Sequence, residues 1–350
     1  MPETILNFLH SAPLWLLLII IVAVLLVLAK GADLLVDEAV LLSLKLGVPQ
    51  IVIGATIVSL GTTLPEAAVS VMGAIKGNPE LALGNAVGSI IADTGLILGL
   101  AAVLKPLPLD QSVVHRQGWI QVGAGVLLVV SCFPWSHPAQ VFAEGGGGTL
   151  PQWMGWIFCI LLVIYLVMSL RWSKSQSGAI PDLIPPEIKA EASASLWAVA
   201  IKLVLGITLV VLSSQVLIPT VEITAERVGV PDAIIAATLV ALGTSLPELI
   251  TAITAVRKNQ GSLAVGNVIG ADILNVLFVA GVSASVTSGG LYAGPYFFLF
   301  LFPAMLLLLV IFRIGIRVSG THLSRPFGFL LIGVYLAVTA VSYFSGVDFH

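Results

Sequence analysis

The chain has 350 residues, 58% of them hydrophobic and only 9% charged, with a formal net charge of −3. A water-facing domain carries about 25% charged residues, so this composition excludes a soluble globular protein. Long apolar runs, in place of short alternating segments, exclude a transmembrane β-barrel and point to an all-α membrane protein. No basic cluster suggests nucleic-acid binding, and no obligate protein partner is evident beyond the lipid bilayer. Cys132 and Cys159 are isolated thiols, without the spacing of a metal site or disulfide framework.

Ten hydrophobic segments follow in chain order: 14–42, 49–75, 80–104, 118–134, 151–170, 195–220, 231–256, 262–286, 291–312 and 326–345. The first is longer than a bilayer requires, so it is expected to tilt, and its charged second half to pack on protein or near the interface. It lacks a basic n-region and a cleavage site, and reads as a retained helix. Residues 1–170 form a first five-helix unit, 171–194 a polar cytoplasmic linker and 195–350 a second five-helix unit. The Gly145–Gly148 run reads as a flexible outer loop.

Basic residues are distributed unevenly over the connections. With the N-terminus outside, the inner loops hold Lys45, Lys105, Arg116, Arg171, Lys174, Lys189, Arg257, Lys258, Arg313, Arg317 and Arg325, and the outer face only Lys76 and Arg227. This is the positive-inside pattern, and it predicts a multi-pass protein of the cell (inner) membrane with both termini outside the cytoplasm.

The chain repeats itself. Residues 54–72 read GATIVSLGTTLPEAAVSVM and residues 236–254 read AATLVALGTSLPELITAIT, a displacement of 182. Leu46-Gly47-Val48-Pro49 answers Val228-Gly229-Val230-Pro231, and Leu83-Gly84-Asn85-Ala86-Val87-Gly88 answers Val265-Gly266-Asn267-Val268-Ile269-Gly270. The two repeat motifs cover 54–100 and 236–282. Five segments separate the copies, an odd number, so the second enters the membrane from the opposite side. Inverted repeats of this kind are built for alternating access, with ion sites near the midplane at the repeat interface.

Each copy carries an intramembrane carboxylate beside a helix breaker. Pro65 has no N–H for the carbonyl of Gly61, and Pro247 none for that of Gly243. The freed carbonyls, the hydroxyls of Thr62, Thr63, Thr244 and Ser245, and the carboxylates of Glu66 and Glu248 make a donor set for hard cations such as Na⁺ and Ca²⁺. Twenty-seven residues beyond each Glu stands a polar residue, Asp93 in one half and Asn275 in the other. Ser89, four residues before Asp93, shares its helical face. Asp272 has Ile90 as its repeat counterpart and could face the ion path, pair with a base or sit at the inner mouth. Asn85 and Asn267 each follow Gly and are expected to fix helix-breaking turns. The five histidines are expected in loops or tails.

At these residues the sequence resembles the Ca²⁺/cation antiporter superfamily and, within it, the prokaryotic sodium/calcium exchangers. The matching elements are GTTLPE with GNAVGS, GTSLPE with GNVIGA, and Gly31-Ala32-Asp33 in the first segment. The resemblance implies ten transmembrane helices in two inverted five-helix repeats. It also implies four ion sites between the second, third, seventh and eighth segments, against which the first and sixth slide. Carried over, Glu66 and Glu248 would bind Ca²⁺ with backbone oxygens near Thr62 and Thr244. Ser59 and Ala241 would offer carbonyls to Na⁺, and Ser89, Asp93 and Asn275 would complete the sodium and central sites. The chain departs from the archaeal pattern by exchanging the central Asn and Asp, as Asp93 and Asn275. It also has Ala271 where the second repeat often has Ser.

The function implied is secondary active exchange of Ca²⁺ for Na⁺, with no cofactor. The missing hydroxyl at Ala271 keeps a Ca²⁺/H⁺ antiporter on the same fold as the alternative, and a passive cation channel is the less favoured one. With no HExxH motif and no Ser/His dyad, enzymatic chemistry is not expected.

Overall fold

Pro13 separates a short helix, α1 (Glu3–Ser11), from the first long one, α2 (Leu14–Leu46), in a computed structural model describing residues 3–109, 111–143, 146–174, 195–229 and 243–344. Gly47 ends α2 in the left-handed conformation at φ 63°, with the Val48 N–H bonded back to the Ser43 carbonyl at 3.0 Å. At 1.5 Å per residue the 33 residues of α2 run about 50 Å, against a hydrocarbon core of about 30 Å. Its buried residues begin in earnest at Leu28, where the charged half packs on protein.

The second segment is two helices, α3 (Gln50–Thr62) and α4 (Leu64–Ile75), bent by 45°. Then follow α5 (Pro79–Leu104), α6 (Gln111–Cys132), α7 (Gln152–Lys174), α8 (Leu196–Arg227), α9 (Leu246–Arg257), α10 (Gly261–Val286), α11 (Phe297–Ser319) and α12 (Arg325–Phe344). Among the described residues, eight helices are long and apolar enough to cross a membrane, and the bent α3–α4 pair makes a ninth. Of the expected segment 231–256, α9 is described, and residues 231–242 lie outside the described residues. So does most of the linker, 175–194.

Burial divides the helices into a centre and a jacket. The apolar windows of α10 and α5 are 94% and 72% buried, whereas that of α2 is 17% buried and leaves its first half to lipid. The centre closes tightly because α10 presents glycines to α3. A Cβ on Gly270 would stand 2.5 Å from both Ala55 Cα and Ser59 Oγ, and one on Gly54 would stand 2.6 Å from the Leu263 carbonyl. Small residues at such crossings let membrane helices pack backbone to backbone. The repeated glycines of the GNxxG motifs thus act, in this copy, as a crossing point.

Two short antiparallel ribbons stitch the halves together. Strand β1 (Leu107–Pro108), after α5, pairs with β4 (His322–Leu323), before α12. Strand β2 (Gly148–Leu150), before α7, pairs with β3 (Leu291–Ala293), after α10. Each ribbon takes one strand from each half, and their roles are exchanged, as a pseudo-two-fold relation demands. The glycine run is therefore not a free loop at its end, since Gly148 opens β2 opposite Ala293. Three of the histidines also depart from expectation: His10 lies in the last turn of α1, His115 within α6 and His322 in β4, all exposed.

Candidate ion-binding site

The break in the second segment falls where Pro65 predicts it. Thr63 leaves the helical region at φ −80°, ψ 0°, and α4 restarts at Leu64 with the proline in its first turn. Ser245 repeats this at φ −84°, ψ 8°, before Pro247 and α9. Glu66 and Glu248 consequently occupy the first turns of their half-helices, where the N-terminal end of the helix dipole favours a carboxylate. Both glutamates are 1% exposed.

The fold brings the halves into contact at this level. Thr63 Oγ1 donates to Glu248 Oε1 across the repeat interface at 3.2 Å. The carboxylate of Glu66 has Glu248 and Asp93 as its charged neighbours, and Ser245 lies beside both Glu66 and Asp93. Asn275 Nδ2 reaches Asp93 Oδ2 at 3.5 Å, joining the two central residues. Both oxygens of Glu66, Oε2 of Glu248, Oδ1 of Asp93 and Oδ1 of Asn275 are buried without a hydrogen-bond partner. No ion pair among the described residues neutralises any of these carboxylates. Buried acceptors in such number, without donors, are what a desolvated cation requires.

The remaining expected residues fall around this cluster with one exception. Thr62 is fully buried, its hydroxyl 3.4 Å from the Ser59 carbonyl and 3.5 Å from Asn267 Oδ1. Ser59 is fully buried, and its Oγ lies 3.4 Å from the Thr56 carbonyl. Ser89 is buried, and its carbonyl accepts the Asp93 N–H. Thr244 is half-buried and donates to Asn85 Oδ1 at 3.3 Å. Ala241 lies outside the described residues.

Asn85 and Asn267 differ from expectation. Neither breaks its helix: α5 and α10 run through them. Instead they tie the halves together, Asn85 receiving Thr244 and Asn267 receiving Thr62. Asn85 also donates to the Glu66 carbonyl at 3.3 Å and to Ser70 Oγ at 2.9 Å, so it braces the broken segment from behind. Directly after a glycine in a continuous crossing helix, each amide has no local turn to fix and reaches outward.

Three local features were not anticipated. Helix α5 widens to a π-helix over Asp93–Ile97 and α10 over Asn275–Ala280, each beginning at the central polar residue of its half. A third π-segment, Gly54–Val58, lies in α3, where Tyr165 of α7 donates to the Ala55 carbonyl at 2.9 Å. Such bulges expose carbonyls that a straight helix keeps to itself and recur at functional sites. Asp272 is buried and has no ion pair among the described residues: its Oδ2 accepts from Thr94 and from Gln121 of α6, both at 2.5 Å. Gln121, a polar residue within an apolar segment, was the available signal for that contact.

Among the described residues, no three His, Cys, Asp or Glu side chains gather to hold a metal unaided. A cation at this site would thus draw on hydroxyl and carbonyl oxygens as well as carboxylates, the donor set that the broken helices supply.

Comparison with known proteins places the chain in the sodium/calcium exchanger protein family. The sodium/calcium exchanger protein family profile matches residues 16–171 and 198–344. The chain is 31% identical over 304 residues to the sodium/calcium exchanger MaX1 of Methanosarcina acetivorans, covering 80% of this chain and 85% of that one. It is 31% identical over 280 residues to the inner membrane protein YrbG of Escherichia coli, covering 79% and 82%. Its structure superposes on that of the sodium-calcium exchanger NCX_Mj with a TM-score of 0.76 at 23% identity, covering 94% of this chain and 99% of the other. The expected fold class, two inverted repeats of transmembrane helices, is the fold of this chain.

Proposed function

Because the chain belongs to the sodium/calcium exchanger protein family, we propose that it is a secondary active antiporter exchanging Ca²⁺ for Na⁺ by alternating access. The observation that carries this reading is the meeting of Glu66, Glu248 and Asp93 from both halves, buried, with no ion pair among the described residues and with unpartnered oxygens. Three carboxylates balance three Na⁺, or one Ca²⁺ with one carboxyl protonated. Ca²⁺ takes the two glutamates with backbone oxygens near Thr62 and Thr244. Ser59, Ala241, Ser89, Asp93 and Asn275 serve the sodium and central positions, and the Thr63 and Ser245 hydroxyls line the site. No cofactor and no enzymatic step enter this reading.

The protein sits in the cell membrane with both termini outside, as the distribution of basic residues favours. Helix α2 of the first unit (1–170) and α8 of the second (195–350) slide together against the shared site, with 171–194 as the connecting linker on the cytoplasmic side. Reconstituted ⁴⁵Ca²⁺ transport under imposed Na⁺, K⁺ or H⁺ gradients tests the proposal, with Glu66→Gln and Glu248→Gln as inactive controls. Uptake driven by a Na⁺ gradient with the proton gradient collapsed is the expected result. Uptake that follows only the proton gradient would instead establish the Ca²⁺/H⁺ reading, which the fully buried Ala271, lacking a hydroxyl, favours. Flux indifferent to any opposing ion would mark a channel.

A further inference from the structure

Asp272 is a fourth buried carboxylate that the scheme above does not use. It is 2% exposed, and no Lys, Arg or His among the described residues pairs with it. The charged group beside it is another anion, Asp93. A carboxylate so placed is costly in a membrane interior and marks an ion pathway more often than a scaffold.

The balance of donors and acceptors around it is one-sided. Thr94 Oγ1 and Gln121 Nε2 both donate to Asp272 Oδ2, and Asn275 Nδ2 is directed at Asp93 Oδ2. Left over are three buried oxygens without partners: Asp272 Oδ1, Asp93 Oδ1 and Asn275 Oδ1. Asp272 and Asn275 are three residues apart on α10 and share a face, while Thr94 adjoins Asp93 at the start of the π-segment of α5. One oxygen from each of two carboxylates and one amide oxygen is too sparse a set for Ca²⁺, which takes six to eight oxygens, but suits a monovalent ion completed by backbone carbonyls of the widened helices.

Neither Asp272 nor Thr94 is a product of the duplication. Their counterparts at the 182-residue displacement are Ile90 and Val276, both buried and apolar. The pair joins the two halves once, on the side facing α6, and has no symmetry-related copy.

We propose that Asp272 is a cation ligand of this exchanger, forming with Asp93 and Asn275 a monovalent-cation subsite on the α6 side of the ion cluster. Gln121 and Thr94 hold the carboxylate so that Oδ1 faces the ion. The proposal rests on the exchanger reading above and adds one monovalent counter-ion to its inventory.

The test uses the full chain in proteoliposomes, with Ca²⁺/Ca²⁺ isotope exchange in the absence of Na⁺ measured beside Na⁺-driven Ca²⁺ flux. Asp272→Asn keeps the shape and the acceptor for Thr94 and Gln121 but removes the charge. The expected result is Ca²⁺/Ca²⁺ exchange within about twofold of wild type, with the half-saturating Na⁺ concentration raised roughly tenfold and its Hill coefficient lowered by about one. Asp272→Glu should recover part of the Na⁺ response. Na⁺ dependence unchanged in Asp272→Asn would overturn the proposal and leave a merely structural carboxyl. Equal loss of both exchange modes, unrelieved in Asp272→Glu, would overturn it in favour of a scaffold role. A wild-type flux that follows pH in place of Na⁺, with that dependence lost in Asp272→Asn, would make the bound species a proton and overturn the cation assignment. Absence of Na⁺-driven Ca²⁺ flux in the wild type, with Ca²⁺/Ca²⁺ exchange intact, would remove the sodium-coupled reading itself, and this subsite with it.

Discussion

Lys258, just past the end of α9, reaches across to α2 and stands 2.7 Å from Asp37 Oδ2. It is also 3.3 Å from both the side chain and the carbonyl of Asp33. By the proposed orientation, this bond lies on the cytoplasmic side and ties a long jacket helix to the ion-binding centre. Its counterpart in the first half, Lys76, is exposed and has no ion pair among the described residues. The positions answering Asp33 and Asp37 at the 182-residue displacement are Gln215 and Pro219. The fastening is present on one face only.

Removing it with Lys258→Met should therefore favour the form open to the cytoplasm. The partners are 28%, 47% and 42% exposed, so each pair contributes at most about 1 kcal/mol, roughly a fivefold shift. Half-saturating ion concentrations measured separately on the two faces of oriented proteoliposomes should change in ratio by about two- to fivefold. An unaltered ratio would show that the bond does not distinguish the two forms.

Glu66→Gln and Glu248→Gln should each abolish Ca²⁺ transport while making the ion-free protein more heat-stable. The wild-type carboxylates are buried with unpartnered oxygens, and neutralising one relieves the repulsion between them. Thermal unfolding in detergent reads both effects. Saturating Ca²⁺ at about 100 times its Kd should stabilise the wild type by about 2.7 kcal/mol and leave the variants unmoved.

Gly270→Ala should destabilise the protein by about 1–3 kcal/mol, since its methyl group meets Ala55 Cα and Ser59 Oγ at 2.5 Å. Gly333→Ala, with nothing within 4 Å of the added carbon, is the matched control and should stay within about 0.5 kcal/mol of wild type. Melting temperatures in one detergent would separate the two.

Tyr165→Phe removes the hydroxyl that caps the Ala55 carbonyl in the π-segment of α3. Leaving that carbonyl buried and unbonded should lower stability by about 1–3 kcal/mol. Denaturation midpoints compared with those of Tyr335→Phe, whose ring does not touch α3 through a hydrogen bond, provide the check.

The fold was legible wherever one local rule dominates. Pro65 and Pro247 each follow a glycine and two hydroxyl residues midway along an apolar segment, a run of 20 apolar residues is long enough to cross lipid, and a 182-residue displacement over an odd number of segments inverts the second copy. The two glutamates were legible for the same reason, as charges with no local partner. What escaped was decided across the interface. Asn85 looked like a turn residue because its partners, Thr244 and the Glu66 carbonyl, are far away in sequence. Asp272 was ambiguous until Gln121, 151 residues distant, was seen to hold it. The π-segments depend on small differences in backbone bonding that residue types alone do not encode.

Helices α2 and α8 cross so closely that a Cβ on Gly31 would stand 2.7 Å from Leu209 Cβ, and one on Gly206 2.7 Å from the Leu35 nitrogen. Glu38 and Lys202, 3.2 Å apart, add a bond between the same two helices. A crossing with no room for a methyl group joins the two helices into one rigid lever. If that lever is what shuts each mouth of the exchanger, neither end can lift without the other being pressed down. Leakiness is then a property of two glycines far from any ion: a bulky residue at Gly31 or Gly206 would part the lever and let both doors stand ajar, dissipating the gradient that the protein exists to spend.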